Sequence, residues 1–508
     1  MTETSPLVKL AQSAALVFVA SVVGRLLGLV AEIVIVRSLA PTTYGRIALA
    51  FTIISSLGSI ILLGVHEGVT RQFSSLKSDT EQLKVVLSGY TIVLASGIFT
   101  ALIVYSLRHP ISELVNDENI VVPLSLFIPY LVIYPLSVTS FATLRAREQT
   151  LKAMMSRPLG GRLVALLLLG LFFSLGENYY GAIVYWIAFP AFTLLFSVYF
   201  MRDFATTNAV SESLPDRTTI VDLFAFSWPL AISSVVFLLL ANLDILMIGY
   251  FLDAESVGFY RSVQPFKQVA TFGMSAFTFI FLPLATRYYE QDRIDQLEEM
   301  FTVSTKWILL ITLPPLLVFA LFSGAVVQHF FGNEYLPASP VLAVLTGGLL
   351  FRAISGLDGP MVKAIDRPRI ELYSAIPGFV VNFVMNVVLI PAYGIVGAAV
   401  ATILGYAVYN SIELGWIYFS KDIHPFSIDT TKFLVAMIAF GGGLSVVIPR
   451  PLGILGLIGL GVVFVLVQPL LLLLTRSIDE EDIRLIDEIE SRFGIDLTKV
   501  KQIAKKGV

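Results

Sequence analysis

The sequence predicts an all-α integral membrane protein of about fourteen transmembrane helices, in two pseudo-symmetric six-helix lobes followed by two further helices. Three observations predict it. Hydrophobic residues make up 56% of the 508-residue chain and charged residues only 14%, against about 25% charged in soluble domains. The apolar residues fall in blocks of roughly the 20 residues that a helix needs to cross a bilayer. These blocks are near-continuous runs of Leu, Ile, Val, Phe, Ala and Gly, not alternating strands, which excludes a barrel.

The first block, Leu10 to Val36, is too long for a signal-peptide core and lacks a cleavage site, so it is expected to stay as the first helix. Spans at roughly 10–36, 44–66, 84–107, 120–144, 158–176 and 179–201 make the first lobe, 1–201. A polar linker follows at 202–220. Spans at roughly 221–250, 257–282, 305–331, 338–358, 370–390 and 395–419 make the second lobe, 221–419. Two extra spans lie within 420–475, and residues 476–508 form a charged tail. Tail residues Ile483, Ile486, Ile489 and Phe493, then Leu497, Val500 and Ile503, predict short amphipathic helices on the cytoplasmic interface.

Lysine and arginine set the orientation. About 26 of the 34 lie in alternate loops and the termini, including Arg145, Arg147, Lys152, Arg157, Arg162 and Lys306. About five (Arg37, Arg46, Arg108, Arg261 and Arg450) lie on the other side. Both termini are therefore expected in the cytoplasm. Five landmarks recur at a near-constant offset: Ser13 with Ser227, Gly45 with Gly258, Thr70-Arg71 with Thr286-Arg287, Arg145-Ala146 with Lys363-Ala364, and Gly181-Ala182 with Gly397-Ala398. Six spans per repeat preserve orientation, so the halves are parallel repeats, an arrangement in which transporters place substrate between the halves.

The net charge of −3 points to no nucleic-acid partner, and with no cysteine there is no disulfide or thiol chemistry. No phosphate loop, nucleophile elbow or zinc spacing occurs, and no loop is long enough for a catalytic domain. Neither catalytic residues nor a metal or cofactor is expected, and the chain is read as no enzyme.

The candidate site is a set of ionisable residues inside spans, where charge is costly and usually functional. Arg25 and Glu32 lie seven apart on span one, Asp244 on span seven, and Arg261, Gln264, Lys267 and Gln268 on span eight. Positions 261, 264, 268, 271 and 275 are expected to form one helical stripe with Lys267 on its flank. Arg25, Arg261 and Lys267 would attract an anion, a phosphate most naturally. The bland alternative pairs Arg25 with Glu32 and Lys267 with Asp244 as helix clamps. Arg352, Asp358 and Glu413, near cytoplasmic ends, are read as interface anchors. Gly24 and Gly28 predict close helix approach on span one, and Pro129, Pro135, Pro190, Pro229, Pro265, Pro314 and Pro377 interrupt spans.

Particular segments carry a family resemblance. Arg37-Ser38-Leu39-Ala40-Pro41-Thr42-Thr43-Tyr44-Gly45 resembles the leucine-(glycine/alanine)-proline-x-x-tyrosine-glycine turn of prokaryotic polysaccharide export proteins. So does Phe331-Gly332-Asn333-Glu334-Tyr335, and so do Asn382-x-x-x-Asn386 and Ile390-Pro391-x-Tyr393-Gly394-Ile395-x-Gly397-Ala398-Ala399-x-Ala401-Thr402. With the fourteen-span plan, the chain from Leu10 to Arg476 resembles oligosaccharide flippases of the O-antigen translocase type, within the multidrug/oligosaccharidyl-lipid/polysaccharide flippase superfamily. The resemblance implies flipping of a polyprenyl-linked sugar across the plasma membrane of a prokaryote by alternating access. Implied partners are the lipid-linked sugar, membrane lipids and a coupling ion of unknown identity, with the protein a monomer. An ion-coupled drug exporter of the same superfamily would share the fold. Its early acidic cation site could only be Glu32, which has Arg25 on its face.

Overall fold

The computed structural model describes residues 6–204, 207–270, 272–448 and 452–477, all helix, turn or loop, with no strand among them. The tail beyond Ser477, with its expected amphipathic helices, lies outside the described residues. The chain forms two compact units: Met1–Ser262 with Ile390–Ile395, and Val263–Leu389 with Val396–Val508.

The first unit opens with α1 (Pro6–Arg37), α2 (Pro41–Ile61), α3 (Val65–Ser75) and α4 (Asp79–Leu114). Pro41 starts α2 where its missing N–H costs nothing. The α2–α3 break falls at Gly64, φ +69°, a left-handed position that glycine adopts without a Cβ clash. Next come α5 (Val121–Phe127), α6 (Tyr130–Ala146), α7 (Thr150–Met154), α8 (Arg162–Ser174) and α9 (Asn178–Met201). Pro129 ends the α5 run, and Pro158 sits in a π-helical stretch, Met155–Gly161, between α7 and α8. Then follow α10 (Thr207–Glu212), α11 (Arg217–Phe251) and α12 (Ala254–Ser262). Asp216 caps α11 by accepting from the Thr219 N–H at 2.7 Å. The core of this unit includes a ring cluster in which Phe51 stacks on Trp186 at 4.6 Å, beside Phe127 and Tyr130.

The second unit comprises α13 (Pro265–Ala270), α14 (Phe272–Glu290), α15 (Ile294–Leu321), α16 (Ser323–Phe331), α17 (Ser339–Ser355) and α18 (Asp358–Ala364). It closes with α19 (Arg369–Lys421), α20 (Ile428–Val447) and α21 (Ile454–Leu474). The 53-residue α19 turns at Gly394, φ 59° and ψ −142°, and so forms two legs. The legs meet where a Cβ on Gly378 would lie 2.9 Å from the Gly405 carbonyl oxygen. Phe281, Phe301, Ile308, Met361 and Ile417 anchor the buried core here.

Eleven helical segments among the described residues are long and apolar enough to cross a membrane. Counting both legs of α19, and adding 217–251 and 254–290, is consistent with fourteen crossings. The chain is a multi-pass helical membrane protein.

Three expectations are corrected. Residues 257–282 are not one helix: α12 stops at Ser262, and Val263 and Gln264 form a turn before Pro265. Proline lacks the N–H to continue an incoming helix and disfavours α geometry in the residue before it. The proposed stripe from 261 to 275 therefore does not exist as a single face, and Thr271 lies outside the described residues. Arg162 and Lys306, assigned to loops, lie inside helices, with Lys306 buried and donating to the Ser477 carbonyl at 3.1 Å. Asp358 and Glu413 are not interface anchors: both are buried in the second unit.

Candidate functional site

In the first unit, Glu32 comes from the last turns of α1 and is 6% exposed. Burying a carboxylate requires partners. The phenol of buried Tyr44, on α2, donates to its Oε1 at 2.6 Å, and Arg261 Nη2, on α12, stands 3.7 Å from the same oxygen. Asp244 on α11 is 2% exposed and accepts from the Tyr260 hydroxyl at 2.8 Å. α1 and α11 thus each hold a buried acid, met by a tyrosine a few residues into the following helix. Close packing makes the arrangement possible. A Cβ on Gly45 would sit 1.6 Å from the Ala254 carbonyl oxygen, and one on Gly258 2.2 Å from the Pro41 oxygen. Gly45 of α2 and Gly258 of α12 are therefore in contact, backbone against backbone.

Arg25 lies half-buried on α1 beside the Gly24–Gly28 pair, which performs the close approach expected of it. The Pro158 carbonyl oxygen lies 2.7 Å from a Cβ on Gly24, and Arg162 Nη1 lies 1.9 Å from one on Gly28. Arg162 donates to the Gly24 carbonyl at 2.6 Å and lies over the Phe189 ring at 4.9 Å. The charges of Arg157, Arg25 and Glu32 all act on its guanidinium. The first unit therefore gathers three arginines, 25, 157 and 162, near one another. Only Arg25 was singled out from sequence, because the wide π turn that carries Arg162 into the bundle has no signature beyond Pro158-Leu159-Gly160-Gly161. Nearer the predicted outer face, a cavity of about 470 Å³ is lined by Thr42, Arg46, Asp117, Glu118, Asp253 and Glu255, with Arg46 paired to Asp117 at 2.6 Å.

In the second unit, Lys267 on α13 lines a cavity of about 150 Å³ with Leu345, Gly348, Arg352, Thr402 and Tyr406. The Arg352 guanidinium lies 5.6 Å over the Tyr406 ring. Two cations thus share a small cavity inside an apolar bundle. Arg352 was read from sequence as an anchor, since depth along a helix does not reveal which way a side chain faces. Gln264 is half-buried in the turn before Pro265, and Gln268 is exposed on α13. Asn386 donates to Asn382 Oδ1 at 3.2 Å on the first leg of α19. Among the described residues no group of three or more His, Cys, Asp or Glu could hold a metal.

The described residues thus form a multi-spanning helical membrane bundle with cations lining a cavity in its interior. The chain belongs to the family of polysaccharide biosynthesis proteins, whose profile matches residues 34–340. It is 26% identical over 212 residues to the Haloferax volcanii protein named "Probable low-salt glycan biosynthesis flippase Agl15", covering 41% of this chain and 45% of that protein. It is 27% identical over 154 residues to the teichuronic acid biosynthesis protein TuaB of Bacillus subtilis, 30% of this chain and 31% of that one. The chain thus spans less than half the length of either relative. Among solved structures, the lipid II flippase MurJ in an inward closed conformation superposes with a TM-score of 0.71 at 16% identity, covering 89% of this chain and 98% of that one. An inward-facing multidrug resistance MATE family transporter gives 0.66 at 14% identity, covering 80% and 98%. These likenesses establish the fold.

Proposed function

We propose that the protein is a flippase that moves a polyprenyl-(pyro)phosphate-linked oligosaccharide from the cytoplasmic to the outer leaflet by alternating access, for surface polysaccharide or glycoprotein synthesis. The observation that carries this reading is the pair of cations, Lys267 and Arg352, lining one cavity inside the bundle of a polysaccharide-biosynthesis family member. A lipid-linked sugar carries a phosphate, for which charge-assisted hydrogen bonds from Lys and Arg are the natural ligands. Arg25, with Arg162 beside it, is the corresponding cation of the first unit. Arg261 is already engaged by Glu32 and has less to offer an anion. The named relatives of H. volcanii and B. subtilis agree with a glycan substrate.

Six-helix lobes at 1–201 and 221–419, both termini in the cytoplasm, a prokaryotic plasma membrane and a monomeric state belong to the same reading. The drug-exporter alternative needs an acidic cation site early in the chain. Glu32 is already met by Tyr44 and Arg261, which disfavours that alternative.

Lys267→Ala or Arg25→Ala should cut surface glycan while the protein still reaches the membrane. Loss of one charge-assisted contact costs on the order of 1.5–3 kcal/mol, roughly ten- to a hundredfold in binding. Lys267→Arg should retain more activity than Lys267→Gln. If the double variant Asp244→Asn/Lys267→Gln restores normal glycan export, the residues are a helix clamp and the phosphate site is refuted.

A further inference from the structure

Two acids in the second unit have no task in phosphate binding. Asp358 opens α18 and Glu413 lies on the second leg of α19; they are 7% and 0% exposed. Asp358 Oδ1 accepts the Gly359 N–H at 2.9 Å, but its Oδ2 and both oxygens of Glu413 have no hydrogen-bond partner. Gly359, the residue after Asp358 in the chain, packs against Glu413. A point one Cβ away from its backbone lies 3.8 Å from Glu413 Oε2 and 3.9 Å from Glu371 Oε1. Asn410, one turn before Glu413 on the same face, is 1% exposed and its Nδ2 is also without a partner. The Tyr409 hydroxyl lies beside Glu413 as a neighbouring donor.

The surrounding charges can be counted. Glu371 is paired to Lys363 at 3.0 Å. Arg352 acts on Asp358 through its field, yet lies over the Tyr406 ring and makes no ion pair with it. Three carboxylates therefore meet two cations, an excess of one negative charge; Glu371 and Lys363 reach solvent, whereas Asp358 and Glu413 are buried. An uncompensated buried charge costs several kcal/mol, and two neighbouring carboxylates relieve this when one of them takes up a proton. Such a proton also supplies a donor within the pair itself, where Asp358 Oδ2 and both Glu413 oxygens are buried.

We propose that Asp358 and Glu413 form a proton-binding site inside the second unit, holding one proton between two buried carboxylates. Releasing that proton would leave a second buried negative charge and so favour any conformation that admits water to the pair.

Infrared spectroscopy of the full-length protein in lipid nanodiscs tests it. Solvent-exposed carboxyls are ionised at about pH 7, so the carbonyl stretch of a protonated carboxylic acid that wild-type protein should show there reports a buried acid. The double variant Asp358→Asn/Glu413→Gln should lose that band, and Glu371→Gln should keep it. No such band in wild-type protein at neutral pH overturns the proposal, whether or not the variants fold. So does a band undiminished in a monodisperse double variant. Disappearance of the band when sodium chloride replaces choline chloride at constant pH would make the pair a sodium site and overturn the assignment of a proton.

Discussion

Glu32 shows how a single residue can be expensive alone and stable in company. Its carboxylate depends on one phenol, one guanidinium and close burial. Removing the phenol oxygen leaves a buried acceptor short of a donor, at about 1–3 kcal/mol. Tyr44→Phe should therefore lower the thermal unfolding midpoint in detergent, and Tyr260→Phe, which strips Asp244 of its phenol, should do likewise. A Tyr44→Phe protein as stable as wild type would show that Arg261 alone satisfies Glu32. Asp216 is a case outside the spans. Its bond from Lys84, then the Thr219 hydrogen bonds, hold its carboxyl well below the usual carboxylate range. A depressed carboxyl contributes stability above its unfolded value, about 3.9, and loses it only as pH falls towards the lower folded value. The stability gap between wild type and Asp216→Asn should therefore be flat from about pH 7 to pH 5 and narrow only in stronger acid. Narrowing already near pH 6 would contradict the Lys84 tether.

At the scale of elements, the contact between α2 and α12 is the most constrained. A methyl group at Gly45 or Gly258 would collide with backbone carbonyl oxygens, which cannot rotate away as a side chain can. Overpacking a core costs about 1–3 kcal/mol even where side chains can adjust, so Gly45→Ala and Gly258→Ala should both reduce the yield of folded protein sharply. Gly170→Ala on α8 meets nothing within 4 Å and should be neutral or slightly stabilising, since alanine is the better helix former. Equal behaviour of the three in a detergent-stability screen would remove the packing argument. The helical register itself was legible for most elements, because runs of apolar residues mark helices wherever lipid is the solvent. It failed at Val263-Gln264-Pro265, where hydropathy continues but the backbone cannot. The proline was visible; whether it kinks a helix or ends one depends on neighbours that no local window contains.

For the whole molecule, composition and charge spacing carried the architecture, while the interior partners were mostly hidden. Arg25 and Lys267 could be found because charge in an apolar block is conspicuous. Tyr44 and Tyr260 could not, since a tyrosine near a span end is ordinary until its acid is known. Asp358 and Glu413 looked like edge residues because sequence gives depth along a helix and not the side that faces inward. Topology remains the most direct global test. Glu177→Cys and Asn333→Cys, both at exposed positions, should react with an impermeant thiol reagent from outside intact cells, while Ser78→Cys and Ser211→Cys should react only after lysis. Reversed labelling would invert the orientation and with it the direction of transport. The absence of native cysteine makes each signal unambiguous.

The distance along the chain between Glu32 and Arg261 gives their ion pair a history in time. Roughly 230 residues separate them, and ribosomes add about 5–20 residues per second. For some ten to fifty seconds after α1 leaves the ribosome, Glu32 has Tyr44 available but no Arg261. During that interval the young N-terminal helices carry an acid whose cationic partner has not been synthesised, and it is then that the insertion machinery or a chaperone would have reason to hold them.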